Sequence, residues 1–221
     1  MDKIKLDPGI YNVFKPYGWT SFDVVNKMKR ISGIKKIGHS GTLDPMATGV
    51  LIVAIGREFT KTISELTNLP KSYMAEITFG IVTDTYDLEG RITQMKRPES
   101  ICQKDVEDVL PNFIGNIKQK PPIYSALKKN GKKLYEYARK NQEVEIEERE
   151  VTISSINVLG YKIGAYPTIN IKADVSKGTY IRSLAYDIGE KLEVGAVLSK
   201  LVRYSVGDYC VKDSYKLEQF Y

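Results

Sequence analysis

The stretch Gly38-His39-Ser40-Gly41-Thr42-Leu43-Asp44-Pro45-Met46-Ala47-Thr48-Gly49 runs straight into Val50-Leu51-Ile52-Val53-Ala54-Ile55. The first dozen residues are too rich in glycine and small polar side chains for a regular element, so they read as a loop. The six that follow are continuously apolar, which is the pattern of a strand buried on both faces. A carboxylate, Asp44, sits in the middle of the loop. Pro45 pushes it toward extended backbone geometry and restricts how it points. The residues alone leave two readings open: a turn-forming Asp-Pro, or a carboxylate held rigidly where a ligand can approach the glycine backbone.

Upstream, Gly9 to Phe14 is a strand candidate closed by the turn cluster Lys15-Pro16-Tyr17-Gly18. Thr20-Ser21-Phe22-Asp23 then offers a hydroxyl with a carboxylate three residues on, a helix-start signature. Val24, Met28 and Ile31 follow at helical spacing, Lys27, Lys29 and Arg30 lie off that stripe, and Gly33 ends the helix. Downstream, Tyr73, Ala75, Ile77 and Phe79 alternate with Met74, Glu76 and Thr78, as do Ile169, Ile171, Ala173 and Val175 with polar partners; both stretches are half-buried strands. Asp84 to Gly90 is a polar turn. Lys104 to Leu110 is a short helix stopped by Pro111. Ile181, Leu184, Ala185, Ile188 and Leu192 fall at helical spacing, with Ser183, Asp187, Glu190 and Lys191 expected outside. Strands dispersed among helices, without repeat or disordered linker, give a single α+β domain over residues 1–221.

Residues from about 117 to 150 have a different texture. Pro121-Pro122 opens them, Lys128 to Lys133 is a basic turn, Leu134 to Arg139 is a short helix, and Glu143, Glu145, Glu147, Glu148 and Glu150 close them. The expectation is an arm that presents its positive end to a partner and keeps its negative end in solvent.

The 221 residues carry 33 Lys+Arg against 27 Asp+Glu, a formal charge of +6 that favours a polyanionic partner. The opening Met1-Asp2-Lys3-Ile4-Lys5 interleaves charges where a secretory signal needs a continuous apolar stretch. Val50 to Ile55 is far short of a membrane span. Two isolated cysteines, Cys102 and Cys210, and one histidine, His39, support neither a disulfide framework nor a structural zinc site. Lys177-Gly178-Thr179 resembles the end of a phosphate-binding loop but lacks the preceding glycine, so nucleotide hydrolysis is disfavoured. The expectation is a reduced, soluble, cytoplasmic protein with no membrane partner.

Three further residues have two readings each. Arg182 opposes the dipole at the start of its helix, so it is either a snorkelling surface arginine or one awaiting an anion. Tyr73 and Tyr180 either pack in the core or offer a face to a base.

The loop Gly38 to Leu51 resembles the signature of the TruB family of tRNA pseudouridine synthases. The resemblance continues, in the family's order, through Phe14-Lys15-Pro16, Lys71-Ser72-Tyr73, Pro121 to Lys128, Gly131 to Arg139 and Ser176 to Arg182. It implies the pseudouridine synthase fold, a mixed and mostly antiparallel central sheet flanked by helices and loops, with residues 117–150 as a thumb-like insertion. It implies isomerisation of uridine 55 in the tRNA T-loop, with the base flipped out of its stack and no metal or organic cofactor. Asp44 matches the family's essential aspartate, and Arg182 its positively charged neighbour. Tyr73 matches the aromatic stacked on the flipped base, His39 a residue inserted near the target, and Tyr180 and Leu201 further pocket positions. Lys15 matches a basic residue near the site, and Lys15, Lys128, Lys129, Lys132 and Lys133 are taken as RNA contacts. The expected partner is the tRNA T-stem-loop, bound by a monomer that requires no protein partner.

Two features depart from the family pattern. Relatives commonly continue into a C-terminal RNA-binding module of the PUA type, which the sequence ending at Tyr221 lacks; weaker tRNA binding with chemistry preserved is the expectation. Val202 and Tyr204 flank Arg203 where relatives often carry a more basic, aliphatic segment. Two rival readings are the guide-RNA-dependent branch, which shares the Gly-Thr-Leu-Asp-Pro loop, and a non-catalytic RNA chaperone. The intact thumb-like block and missing module argue against the first. The pairing of Asp44 with Arg182 argues against the second.

Overall fold

The computed structural model describes residues 4–125, 127–129, 131–138, 142 and 144–221, and of Lys128, Lys133 and Tyr135 the backbone alone. In chain order the elements begin with β1 (Gly9–Lys15), α1 (Ser21–Ser32), β2 (Ile37–His39), β3 (Thr48–Ile55), α2 (Arg57–Thr60), α3 (Ile63–Asn68) and β4 (Lys71–Phe79). They continue with β5 (Ile81–Thr83), β6 (Ile92–Met95), α4 (Gln103–Val109), β7 (Gly115–Gln119), β8 (Lys128–Lys129), β9 (Lys132–Lys133) and α5 (Leu134–Ala138). The last are β10 (Arg149–Lys162), β11 (Thr168–Val175), α6 (Ile181–Lys191), β12 (Ala196–Val206) and β13 (Tyr209–Cys210). The chain forms two compact units, one of Met1–Met74 with Lys200–Tyr221 and one of Ala75–Ser199. The α+β class holds: the sheet pairing is mostly antiparallel, and β12 runs parallel to β3.

In the first unit β3 is the organising strand. Every residue from Val50 to Ile55 is buried, as the apolar run requires. Leu51, Val53 and Ile55 pack with Val13 of β1, Val24 and Met28 of α1, and Leu217 and Phe220 near the C-terminus. Val50 and Ile52 point the other way, onto Val206, as alternation along a strand dictates. β1 pairs antiparallel with β3 from Gly9↔Ile55 to Lys15↔Gly49, and β2 pairs antiparallel at its far end. Gly49, at φ 104°, is the point where β12 comes closest. A Cβ there would stand 2.3 Å from the Arg203 carbonyl oxygen, so only glycine admits the parallel pairing. β3 begins at Thr48 and His39 ends β2, so the loop between regular elements is shorter at both ends than its composition suggested.

The expected α1 forms with both its signals in place. The Thr20 hydroxyl accepts from the Asp23 amide at 3.1 Å while the Asp23 carboxylate accepts from the Thr20 amide at 2.8 Å. Such a reciprocal cap is worth about 1 kcal/mol, and its hydrogen bonds hold the Asp23 carboxyl below its ordinary range. Gly33 closes the helix in the left-handed region at φ 68°, its amide donating to the Lys29 carbonyl.

In the second unit β11 alternates buried and half-buried residues as expected, and β10 lies between β11 and β7. α4 ends at Val109, and Pro111 sits inside a following 3₁₀ turn, Leu110–Phe113. α6 corrects one expectation. Ser183 is buried, because its hydroxyl donates to the Lys120 carbonyl at 2.7 Å. Within residues 117–150 the basic turn is the hairpin β8–β9, with Lys129 opposite Lys132, followed by α5. Asn130, Arg139, Glu143 and the side chains of Lys128 and Lys133, all read as parts of the arm, lie outside the described residues.

Candidate active site

Asp44 is half-buried between the buried Leu43 and Met46. The residues around it are tied down from three directions. The Asp44 carbonyl accepts from the Ala47 amide at 3.1 Å, closing the turn that Pro45 begins. The Leu43 amide donates to the Ser21 hydroxyl at 2.9 Å, anchoring the loop to the first turn of α1. The Pro45 carbonyl accepts from the Gly18 amide at 2.9 Å and from Lys15 Nζ at 3.2 Å. The turn is thus present in a loop whose backbone is anchored at several points, so the turn reading of Asp-Pro does not exclude the other.

Lys15 corrects an expectation. It is fully buried at the end of β1, and its ammonium donates to the Trp19, Pro16 and Pro45 carbonyls. A cation without solvent exposure that satisfies carbonyls on both sides of the loop is a clamp, not a contact for RNA phosphates. Arg203 of β12, which sequence reasoning left without a role, clamps the other side. It is 1% exposed and donates from Nε to the Val50 carbonyl at 2.7 Å and from Nη2 to the Gly41 carbonyl at 3.1 Å. Burial pushes the His39 imidazole below its ordinary value, and the charge of Arg203 adds to the effect. His39 is therefore a neutral ring at pH 7. Tyr73, at the start of β4, and Leu201, on β12, are both buried in this unit. Val202 is half-buried and Tyr204 exposed on either side of Arg203.

The second unit holds Tyr180 and Arg182. Tyr180 caps the N-terminus of α6 without using its side chain. Its amide donates to Gln119 Oε1 at 2.7 Å, and its carbonyl accepts from Gln119 Nε2 at 3.0 Å. A buried glutamine at the end of β7 thereby fixes where α6 begins. Two residues on, within the first turn, Arg182 is 3% exposed. Nη1 stands 3.3 Å from Asp87 Oδ2 and donates to the Thr85 carbonyl at 3.0 Å, while Nη2 donates to the Tyr124 carbonyl at 2.9 Å. An anion answers the helix position: the carboxylate of Asp87, itself buried. Asp87 is held in turn, accepting at Oδ1 from the Thr85 hydroxyl at 2.6 Å and the Glu89 amide at 3.0 Å. In the polar turn 84–90 nothing local marks Asp87 as different from Asp84; the distinction comes from a helix far along the chain.

On the arm, Lys132 is exposed. Lys129 is not the free cation expected, because its ammonium donates to the Glu145 carbonyl at 2.6 Å and lies 3.5 Å from Glu147 Oε1. The described glutamates of the acidic run stay exposed as expected, but Glu145 and Glu147 also reach back to Lys129 of the basic turn. Among the described residues no group of three or more His, Cys, Asp or Glu side chains is placed to hold a metal ion, and no helix is long and apolar enough to cross a membrane.

Residues 29–181 match the family model described as TruB family pseudouridylate synthase, N-terminal domain. The chain is 46% identical over 210 residues to tRNA pseudouridine synthase B of Clostridium tetani, covering 95% of this chain and 71% of that protein. It is 49% identical over 207 residues to the protein of that name from Fusobacterium nucleatum, covering 92% and 69%. Among solved structures it resembles a chain of the crystal structure of a Cbf5-Nop10-Gar1 complex, at 30% identity and a TM-score of 0.72. It also resembles a chain in the structure of an H/ACA RNP bound to a substrate RNA containing 2′-deoxyuridine, at 27% identity and a TM-score of 0.69. Both alignments cover 95% of this chain, which spans about half the length of those two, 52% and 51%. A family match over most of the chain and identities near one half, carried by a fold built around the Asp44 loop, place it: this chain belongs to the TruB family of pseudouridylate synthases.

Proposed function

We propose that the chain isomerises a uridine of the tRNA T-loop, uridine 55, to pseudouridine. The observation that carries this reading is the Asp44 carboxylate, half-buried in a loop immobilised by Lys15, Ser21 and Arg203. The reaction breaks the bond from ribose C1′ to N1, turns the base, and joins C1′ to C5. The C5 proton is then lost and N1 gains one, so nothing is added or removed overall. An aspartate serves such a site as nucleophile at C1′ or as base toward C2′, and both roles require it ionised and fixed in direction. A clamped loop supplies the fixed direction, since a carboxylate that need not reorganise loses nothing at the moment of reaction.

In this reading Arg182 supplies the counter-charge at the site and Tyr73 stacks on the flipped base. His39 supports the flipped conformation as a neutral ring, and Tyr180 and Leu201 line the pocket. The exposed Lys132 of the arm, with Lys128 and Lys133, contacts phosphates. The chain works as a monomer in the cytoplasm and needs no partner protein or cofactor.

The test is an unmodified tRNA transcript, with pseudouridine mapped by position, for wild type and Asp44→Asn. Modification of the T-loop uridine by wild type alone is expected. Binding without modification of any uridine by wild type would remove the reading, and modification only with an added guide RNA would replace it by the guide-dependent one.

A further inference from the structure

Among the described residues, Tyr86 is one of two other than glycine with positive φ, at 62°. For a bulky side chain that conformation is strained and persists only where the surroundings over-determine it. Its neighbours are the two residues that hold the Arg182 guanidinium: Thr85 through its carbonyl and Asp87 through its carboxylate. Two contacts oppose relaxation of Tyr86 itself. Its carbonyl accepts from the Leu198 amide at 3.0 Å. Its ring lies on that of Tyr186, with centroids 4.2 Å apart and planes 20° from parallel. Tyr186 stands on α6 four residues after Arg182, the spacing that puts both on one side of the helix. The same helix therefore carries the guanidinium and the ring that pins the loop gripping it. Burial raises the hydroxyl pKa of both tyrosines, that of Tyr186 to about 12, so both rings stay neutral at working pH.

We propose that the Tyr86–Tyr186 stack is a positioning device for the reaction, holding the strained Thr85–Asp87 loop in the geometry that orients Arg182. In this role both tyrosines act through Arg182. The inference rests on the proposed function, in which Arg182 serves the synthase site.

The experiment measures single-turnover pseudouridine formation and transcript affinity for six forms: wild type, Asp44→Asn, Tyr186→Phe, Tyr86→Phe, Tyr186→Leu and Tyr86→Gly. The phenylalanine forms keep the stack and are expected within about twofold of wild type. Loss of the ring in Tyr186→Leu or Tyr86→Gly is expected to slow the chemical step by about 10- to 100-fold, since small misplacements of a catalytic group carry penalties of that size. Affinity for the transcript stays within about threefold, because the interaction removed acts on the chemical step. Tyr86→Gly relieves the strain, so it folds even where Tyr186→Leu does not, and it then decides alone. In an Arg182→Lys background the same ring deletion is expected to add little, as residues acting through one group are not additive. A ring-deleted form that folds and reacts at the wild-type rate overturns the inference while leaving the synthase reading intact. So does a loss that is fully additive with Arg182→Lys. If wild type forms no pseudouridine, both fall together.

Discussion

The Asp44 loop is held by residues whose charges are spent on backbone. Lys15 is the plainest case: an ammonium with no solvent exposure, donating to three carbonyls that span Pro16 to Pro45. Replacing it by methionine keeps the volume and the apolar stem but leaves three carbonyls without their charged donor. Buried acceptors stripped of a charged partner cost about 2–4 kcal/mol in total. Lys15→Met is therefore expected to lower the unfolding free energy by that amount, seen as a lower urea midpoint at unchanged slope, which equilibrium unfolding checks directly. Pseudouridine formation is expected to fall with it, because the Pro45 carbonyl is one bond network away from Asp44. Arginine at the same place does not rescue, since its planar fork cannot converge on three carbonyls as a point charge does.

Helix α6 carries an opposite kind of tension. Burial pushes the Asp187 carboxyl up from an ordinary 3.8 to about 6, and the negative charges of Glu190 and Glu148 add to it. The folded-state value lies above the unfolded one, so the neutral carboxyl is favoured in the fold. Its stabilising contribution is complete below the unfolded value and is lost as pH rises through the folded one, leaving a partly buried carboxylate beside two like charges above it. Asp187→Asn is expected to stabilise the protein by about 1–2 kcal/mol at pH 7.5, a figure reduced for the half-exposed side chain. The gain shrinks as pH falls from 6 and vanishes near 3.8, so unfolding curves at several pH values decide it. Elements of this kind differ in how readily their sequences announce them. β3 and α1 are legible because their signals are local: a continuous apolar run, a Thr-to-Asp cap, a closing glycine. β10 is not, since Ser154, Ser155 and Gly160 break its alternation and two register shifts reset the period. Gln119, Asp87 and Arg203 escaped for a related reason. Each is an ordinary polar residue in its own neighbourhood and acquires its role from a partner far along the chain. Lys15 matched a family position, and its type alone could not distinguish a buried clamp from a phosphate contact.

At the scale of the whole molecule, the charge of +6 is a poor guide to where a polyanion binds, because several of the cations around the loop, α6 and the arm are already committed. Lys15 and Arg203 are buried against carbonyls, Arg182 is paired with Asp87, and Lys129 is gripped by the acidic run of its own arm. Charge that is neutralised before binding releases few counterions on binding, whereas an exposed lysine brought to a phosphate releases nearly one. Lys129 and Lys132 face each other across one hairpin yet differ in this respect, which makes them a matched pair. Lys132→Ala is expected to weaken binding of a T-stem-loop RNA and to reduce the slope of log affinity against log salt by about 0.7–0.9. Lys129→Ala is expected to leave that slope nearly unchanged, since Lys129 is already paired with Glu147 and brings no unneutralised charge to a phosphate. Titrations over a range of salt concentrations measure both slopes directly. Equal losses from the two variants would mean that RNA displaces the glutamates from Lys129, and the arm would then be a switch in which the acidic run occupies the site until the polyanion arrives.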